Sequence, residues 1–273
     1  MDQTDRAKFG PPDDVGILPW YDGDFTHAFV ALHPFFSIEG LHPGTCESGS
    51  LILLRSEAPD DRELLEWADE AEADRRIGKE IDADALDGIT KRFARTVRWK
   101  SVCREAGFAD HCELDCALRT HIHGLGQDLA SPQLAERLLH YCDREGLFLP
   151  TEGRFEPAMQ AALMQMFVRA GYCEIVAGGE FDGDEERLVD IAALAGDRPW
   201  VGVEDVPAYG ARRLFVPDRS LLAWVHWDSF YTLILGTETS LAGVRLNGLF
   251  EGFWCSDATT TYWLTQPPIA LVQ

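Results

Sequence analysis

The sequence predicts an α+β fold, with a central helical segment packed on a largely antiparallel C-terminal sheet. Three observations lead there. Apolar residues recur every three or four positions between about residues 60 and 170. After Gly171 the apolar runs shorten and are split by turn dipeptides. Helices and strands are thus segregated along the chain, which is the α+β signature and not that of alternating βαβ units. The 273 residues show no repeat and no low-complexity linker, so one domain, 1–273, is expected.

The elements follow in order. Residues up to about Ser56 are loop-rich and aromatic. In them His27–Phe36, "HAFVALHPFF", contains a strand ended by Pro34, and Gly49–Ser56, "GSLILLRS", reads as a strand or a helix start. A first helix starts after Pro59 with Asp60 and Asp61 complementing its dipole; Leu64, Trp67, Ala68 and Ala71 share a face, and Gly78 ends it. "DADALDGITKRFARTVRWKSVCREAG" repeats the pattern through Leu86, Ile89, Phe93, Val97 and Val102, closed by Gly107. Its basic run Lys91–Lys100 reads as a solvated face. Ser131, Pro132 and Gly146 bound a further helix, and Pro157 and Gly171 another.

"YCEIVAGGEF" then reads as a strand and "ERLVDIAALAG" as a short helix. "RRLFVPDRSLLAWVHWDSFYTLILGT" gives an antiparallel meander, and "FEGFWCSDATTTYWLT" a Thr- and aromatic-rich strand. Trp67, Phe93, Leu118, Leu138, Phe167, Trp224, Leu233 and Trp254 are the expected core anchors.

Composition narrows the function. The formal net charge is −22, from 24 Lys and Arg against 46 Asp and Glu. Such a field repels nucleic acid and anionic membranes and favours a basic protein partner. An acidic coat serving solubility accounts for the same charge. No apolar run approaches the ~20 residues of a membrane span. The acidic start "MDQTDRAKFGPPDD" lacks an export signal, so a cytoplasmic location and reduced thiols are expected for the seven cysteines.

"DHCELDCALRTHIHGLG" crowds Cys112, Cys116, His121 and His123 into one stretch. Asp110 and Glu113 make a capping start, and Leu114, Leu118, Ile122 and Leu125 recur at helical spacing. On a helix His123 lies about 10.5 Å beyond Cys116 along the axis, too far for one Zn²⁺. A metal could use only Cys112 and Cys116, completed by Cys103 or Cys142; half-buried structural cysteines are the simpler reading. "GLGQDL" lacks a dinucleotide fingerprint's third glycine, and "EFDGDEERL" lacks a calcium loop's closing glutamate.

In "WVHWDSF", an extended chain puts His226 and Asp228 on one face, an arrangement that can orient a general base. Cys255 and Ser256 are nucleophile candidates by position alone, and His226 as an ordinary strand residue is the simpler reading. On one strand His27 and His33 would be about 20 Å apart, so they cannot share a metal. No cofactor is called for.

"LLAWVHWDSFYTLILG", "GLFEGFWCSDATTTYW" and "PWYDGDFTHAFVALHPFF" resemble the recurrent blocks of an uncharacterised bacterial family, a domain of unknown function. The resemblance implies a bacterial, cytosolic, single-domain protein and carries no activity or catalytic residue. In composition alone the chain is similar to acidic bacterial immunity proteins, which cover a toxin.

Two functions remain. The first is an interaction protein with a basic protein partner, using carboxylates of 60–74, 82–87 and 180–190 and aromatic anchors Trp20, Tyr21 or Trp263; a second copy of the chain is the other partner left open. The alternative is an enzyme with a His226/Asp228 pocket, or a metal-assisted one through Cys112 and Cys116, of unnamed substrate.

Overall fold

The computed structural model describes residues 10–21, 23–49, 59, 63–179, 186–200 and 211–263. Its centre is a seven-stranded sheet in which every described pairing is antiparallel. The strands are β1 (His27–Leu32), β4 (Glu174–Gly178), β5 (Arg187–Asp190), β6 (Arg213–Phe215), β7 (Leu221–Trp224), β8 (Tyr231–Gly236) and β9 (Gly252–Trp254). Their order is β5-β4-β6-β7-β8-β1-β9. The predicted meander is β6-β7-β8, and β1 inserts from the N-terminus between β8 and β9. A separate ribbon pairs β2 (Phe35–Ser37) with β3 (Arg95–Val97). "GSLILLRS" falls almost wholly outside the described residues.

Helices cover both faces of the sheet. Ala28, Val30, Leu32, Leu222, Trp224, Leu233 and Leu235 face α1 (Ile17–Trp20), α4 (Trp99–Ala106), α5 (His111–His121) and α6 (Pro132–Glu145). The alternate residues Phe29, Ala31, Leu221, Ala223 and Ile234 face α7 (Gln160–Arg169) and α8 (Ile191–Ala195). Strands covered on both sides gain from apolar residues at every position, so β1, β7 and β8 read as continuous apolar runs without alternation. A third cluster joins Phe36, Ile38, Cys46, Leu86 and Phe148 below the β2–β3 ribbon.

Several predicted caps are in place, while Ser131 precedes α6 without a side-chain hydrogen bond to it. Gly107 and Gly146 take left-handed conformations after α4 and α6, where a side chain would be strained. Asp110 accepts from the amides of Cys112 and Glu113 at the start of α5. Glu251 caps α4 from 152 and 151 positions along the chain, accepting from Trp99 and Lys100 at 2.7 and 3.0 Å.

Three elements differ from expectation. The long second helix is split into α3 (Ala83–Phe93), β3 and α4. Helical periodicity ran on through the break by coincidence, while Thr96 and Val97 found a strand partner in β2. Phe93 therefore ends a helix in solvent, 61% exposed. Arg187–Asp190, expected to open a helix, forms edge strand β5, and Asp190 caps the shorter α8. The Thr-rich strand is only β9, on whose edge Trp254 is 38% exposed; Thr259 and Thr261 are buried in the turn after it.

Trp67 is also no core anchor. It lies on α2 (Leu64–Arg76), a thirteen-residue helix with no buried residue. The other predicted anchors, Leu118, Leu138, Phe167, Trp224 and Leu233, are buried.

Candidate functional site

His226 and Asp228 lie in the β7–β8 turn. Ser229 anchors that turn: its hydroxyl donates to the His226 carbonyl at 2.8 Å, and its own carbonyl accepts from Gly153 at 2.9 Å. The Asp228 backbone amide donates to His226 Nδ1 at 3.2 Å, which leaves the ring proton on Nε2. Burial pushes the imidazole down to about 4, helped by the nearby charges of Arg119 and Arg212 and opposed by Asp13. His226 is therefore neutral at pH 7. Neither nucleophile candidate engages it. Ser256 Oγ meets Thr259 at 3.3 Å, and burial pushes the Cys255 thiol up to about 12. The turn thus positions a neutral imidazole beside the exposed Trp227 without assembling a nucleophile.

Behind this turn lies a buried ion pair that the sequence reading passed over. Arg119 Nε sits 2.9 Å from Asp115 Oδ2, and both side chains are fully buried. Arg119 also donates to the Thr261 carbonyl at 3.1 Å, which accepts from Tyr231 at 3.1 Å as well. The guanidinium lies over the Tyr262 ring, 4.9 Å from its centroid. Burial raises the Asp115 carboxyl to about 6 against the pull of Arg119. The i,i+4 spacing of "DCALR" was the available signal, but only the fold shows that this helix face is buried.

The cysteines are dispersed among separate partners. Cys103 Sγ donates to Asp110 O and Cys116 Sγ to Leu129 O, each at 3.3 Å. Burial pushes the Cys112 and Cys142 thiols up to about 12. Among the described residues no group of three or more His, Cys, Asp or Glu side chains converges to hold a metal. His123 sits beyond α5 with φ +56°. His33 is buried, with Nδ1 donating to Thr151 O at 2.8 Å and Nε2 accepting from Thr232 Oγ1 at 3.0 Å.

The proposed aromatic anchors are corrected. Tyr21 and Trp263 are buried and Trp20 is half-buried, because α1 and the C-terminal turn fold onto the sheet face. Exposed apolar surface is found elsewhere, at Trp227 and on α2, where Leu65 is 78% exposed; Ile77, just after the helix, is 75% exposed.

That helix carries exposed Glu66, Asp69, Glu70, Glu72 and Asp74. Its last turn ties it to the body: Arg75 donates to the Ser48 carbonyl at 2.7 Å and to that of Gly49, and Arg76 meets Glu47 at 3.3 Å. Next to this anchorage lies a cleft of about 100 Å³. Glu47, Ser48 and Gly49 form one wall, Ala83–Thr90 of α3 another, and Phe148–Pro157 a third. Arg154 reaches across to Asp87 with Nη1 and Nη2, the latter at 2.8 Å. Burial nonetheless raises the Asp87 carboxyl. The last turn of α2, through Arg75 and Arg76, and the first turns of α3 thus both reach the 47–49 loop.

No helix among the described residues is long and apolar enough to cross a membrane. The family described as "Protein of unknown function (DUF2711)" matches residues 77–265. That span holds Leu221–Gly236 and Gly248–Trp263, two of the three blocks that carried the resemblance. No curated protein and no solved structure matches the chain.

Proposed function

The chain belongs to DUF2711, a family of unknown function, and with no activity to inherit we propose that it is an interaction protein that binds a basic protein partner through α2 and the cleft beside it. One observation carries the reading: α2 buries none of its residues, yet presents Leu64 and Leu65 among carboxylates. Helices in water draw most of their stability from packing an apolar face. Leu64 and Leu65 stand exposed on the helix, available to another molecule. Acidic surroundings select a basic one, raise its association rate and orient it, while the leucines supply affinity. A cytosolic, bacterial protein neutralising or escorting a cationic protein fits this surface.

The test is affinity capture from source lysate at low and high salt, with the wild-type chain and a variant carrying Glu66→Lys, Asp69→Lys and Asp74→Lys. Support is an identified protein of basic composition, released by salt, that binds again when purified and is not held by the variant. Capture that ignores salt or the three lysines overturns the reading.

A further inference from the structure

We infer that a pocket at the end of β1 binds a small monocarboxylate with an apolar body, its head group held by Arg98. The pocket lies where β1, the joint between β3 and α4, the start of α7 and the 246–251 segment meet. It shares no lining residue with the cleft beside the 47–49 loop, and the inference does not rest on the reading of α2.

Local structure brings the polar groups to this place. Pairing with β2 holds residues 95–97 extended, and Arg98 follows as the residue before α4, its side chain making no capping bond. A single 3-10 turn, Leu246–Gly248, carries Asn247, the one asparagine of the chain, to the same pocket.

The lining has two parts. Leu32, Met159, Ala162, Leu249 and Phe250 are apolar, and Thr96, Arg98 and Asn247 are polar. Small-molecule sites share this division, with apolar surface for the body of the ligand and a few polar groups that fix its orientation. The volume of about 230 Å³ is that of about eight waters, room for an acid of about eight non-hydrogen atoms.

The unengaged donors set the sign of the ligand. Among the described residues the side chains of Thr96, Arg98 and Asn247 make no hydrogen bond and no ion pair. Arg98 does act on one carboxylate, that of Glu251, but through space and without a hydrogen bond. Glu251 is met elsewhere: its two oxygens accept from the Trp99 and Lys100 amides at 2.7 and 3.0 Å, at the positive end of α4. The carboxylate in the lining is thus held by a helix terminus, and the guanidinium keeps its fork of donors for another partner. A carboxylate fits that fork with two parallel hydrogen bonds. The Thr96 hydroxyl and the Asn247 amide can donate to the same head group. A cation would meet Arg98 and a carboxylate already bonded through both oxygens.

The experiment titrates the ¹⁵N-labelled full chain at neutral pH with 4-methylpentanoate, the uncharged 4-methylpentanamide, and acetate. Saturable shifts at the amides of Thr96, Ala162, Gly248 and Leu249 are expected with 4-methylpentanoate. The amide lacks the charge and acetate lacks the apolar body, so each should bind at least about tenfold more weakly. Arg98→Gln should weaken 4-methylpentanoate binding about tenfold, and Asn247→Ala about threefold. Amide or acetate binding as tight as that of 4-methylpentanoate overturns the assignment, as do shifts that never saturate or that fall outside the pocket. Unchanged affinity in Arg98→Gln overturns it too. Asn247 lies on an exposed turn, so should Arg98→Gln fail to fold, unchanged affinity in Asn247→Ala is the overturning result.

Discussion

Asp115 and Arg119 stabilise each other only as a pair. Taking one charge away leaves the other unpaired in a dry interior, which costs on the order of 3–5 kcal/mol. Arg119→Met and Asp115→Leu are each expected to lose about that much in urea unfolding, and the double variant distinctly less than their sum. Additive losses would show that the two charges are stabilised independently. His33 makes a second residue-scale prediction. Burial lowers its pKa from 6.5 to about 4. The unfolded chain then binds a proton between those values that the native state refuses. Stability from the neutral ring is present above pH 6.5 and is lost as pH falls toward 4. The effect is on the order of 3 kcal/mol. Several buried carboxyls with raised values, Asp115 among them, act in the opposite direction, so the comparison must be differential. His33→Gln should flatten the fall in stability between pH 6.5 and 4.5 relative to wild type; parallel curves would refute it.

At the scale of elements, α2 and α5 are opposites. Leu118 on α5 is fully buried between sheet and helix, and Leu65 on α2 faces solvent. Leu118→Ala should cost about 2–5 kcal/mol and Leu65→Ala no more than about 0.5. Hydrogen exchange should rank the helices likewise, with α2 amides exchanging first. The loop carrying the Arg154 contact is pinned through Gly153, which has φ +61° and whose absent Cβ would lie 2.1 Å from the Trp227 carbonyl. Gly153→Ala should cost upwards of about 1 kcal/mol and shift both the His226 turn and the cleft. An unperturbed spectrum at Thr90 and Ser229 in that variant would show that the two sites are not mechanically joined.

For the whole molecule, charge gives salt two opposite effects. A net charge of −22 repels itself within the compact state, so screening should raise the Tm as NaCl increases toward 0.5 M, roughly. The same screening should weaken capture of a basic partner. A Tm that falls while binding falls would attribute both to salt-induced unfolding and remove the electrostatic reading of the surface.

Local rules were enough to determine much of this protein. Caps and glycines placed the C-terminal end of α4 and both ends of α5 and α6, because a helix terminus is decided by a few neighbouring residues. Shortened apolar runs and turn dipeptides placed β6, β7 and β8, and segregation of helices from strands determined the α+β class. Charge alone directed attention to a basic partner. Tertiary structure decided the rest. Thr96 and Val97 left a helical pattern for a strand because β2 was there to pair with them. Trp67 and Phe93 stayed near the surface and Tyr21 and Trp263 went inside, since periodicity says which residues share a face but not which faces meet. Asp115 and Arg119 were visible as a helical pair, yet only the covering sheet and C-terminal turn make that pair buried. The cleft depends on contacts between residues as far apart as Asp87 and Arg154, 67 positions along the chain. No local pattern encodes such a meeting, because it is set by how separate layers dock.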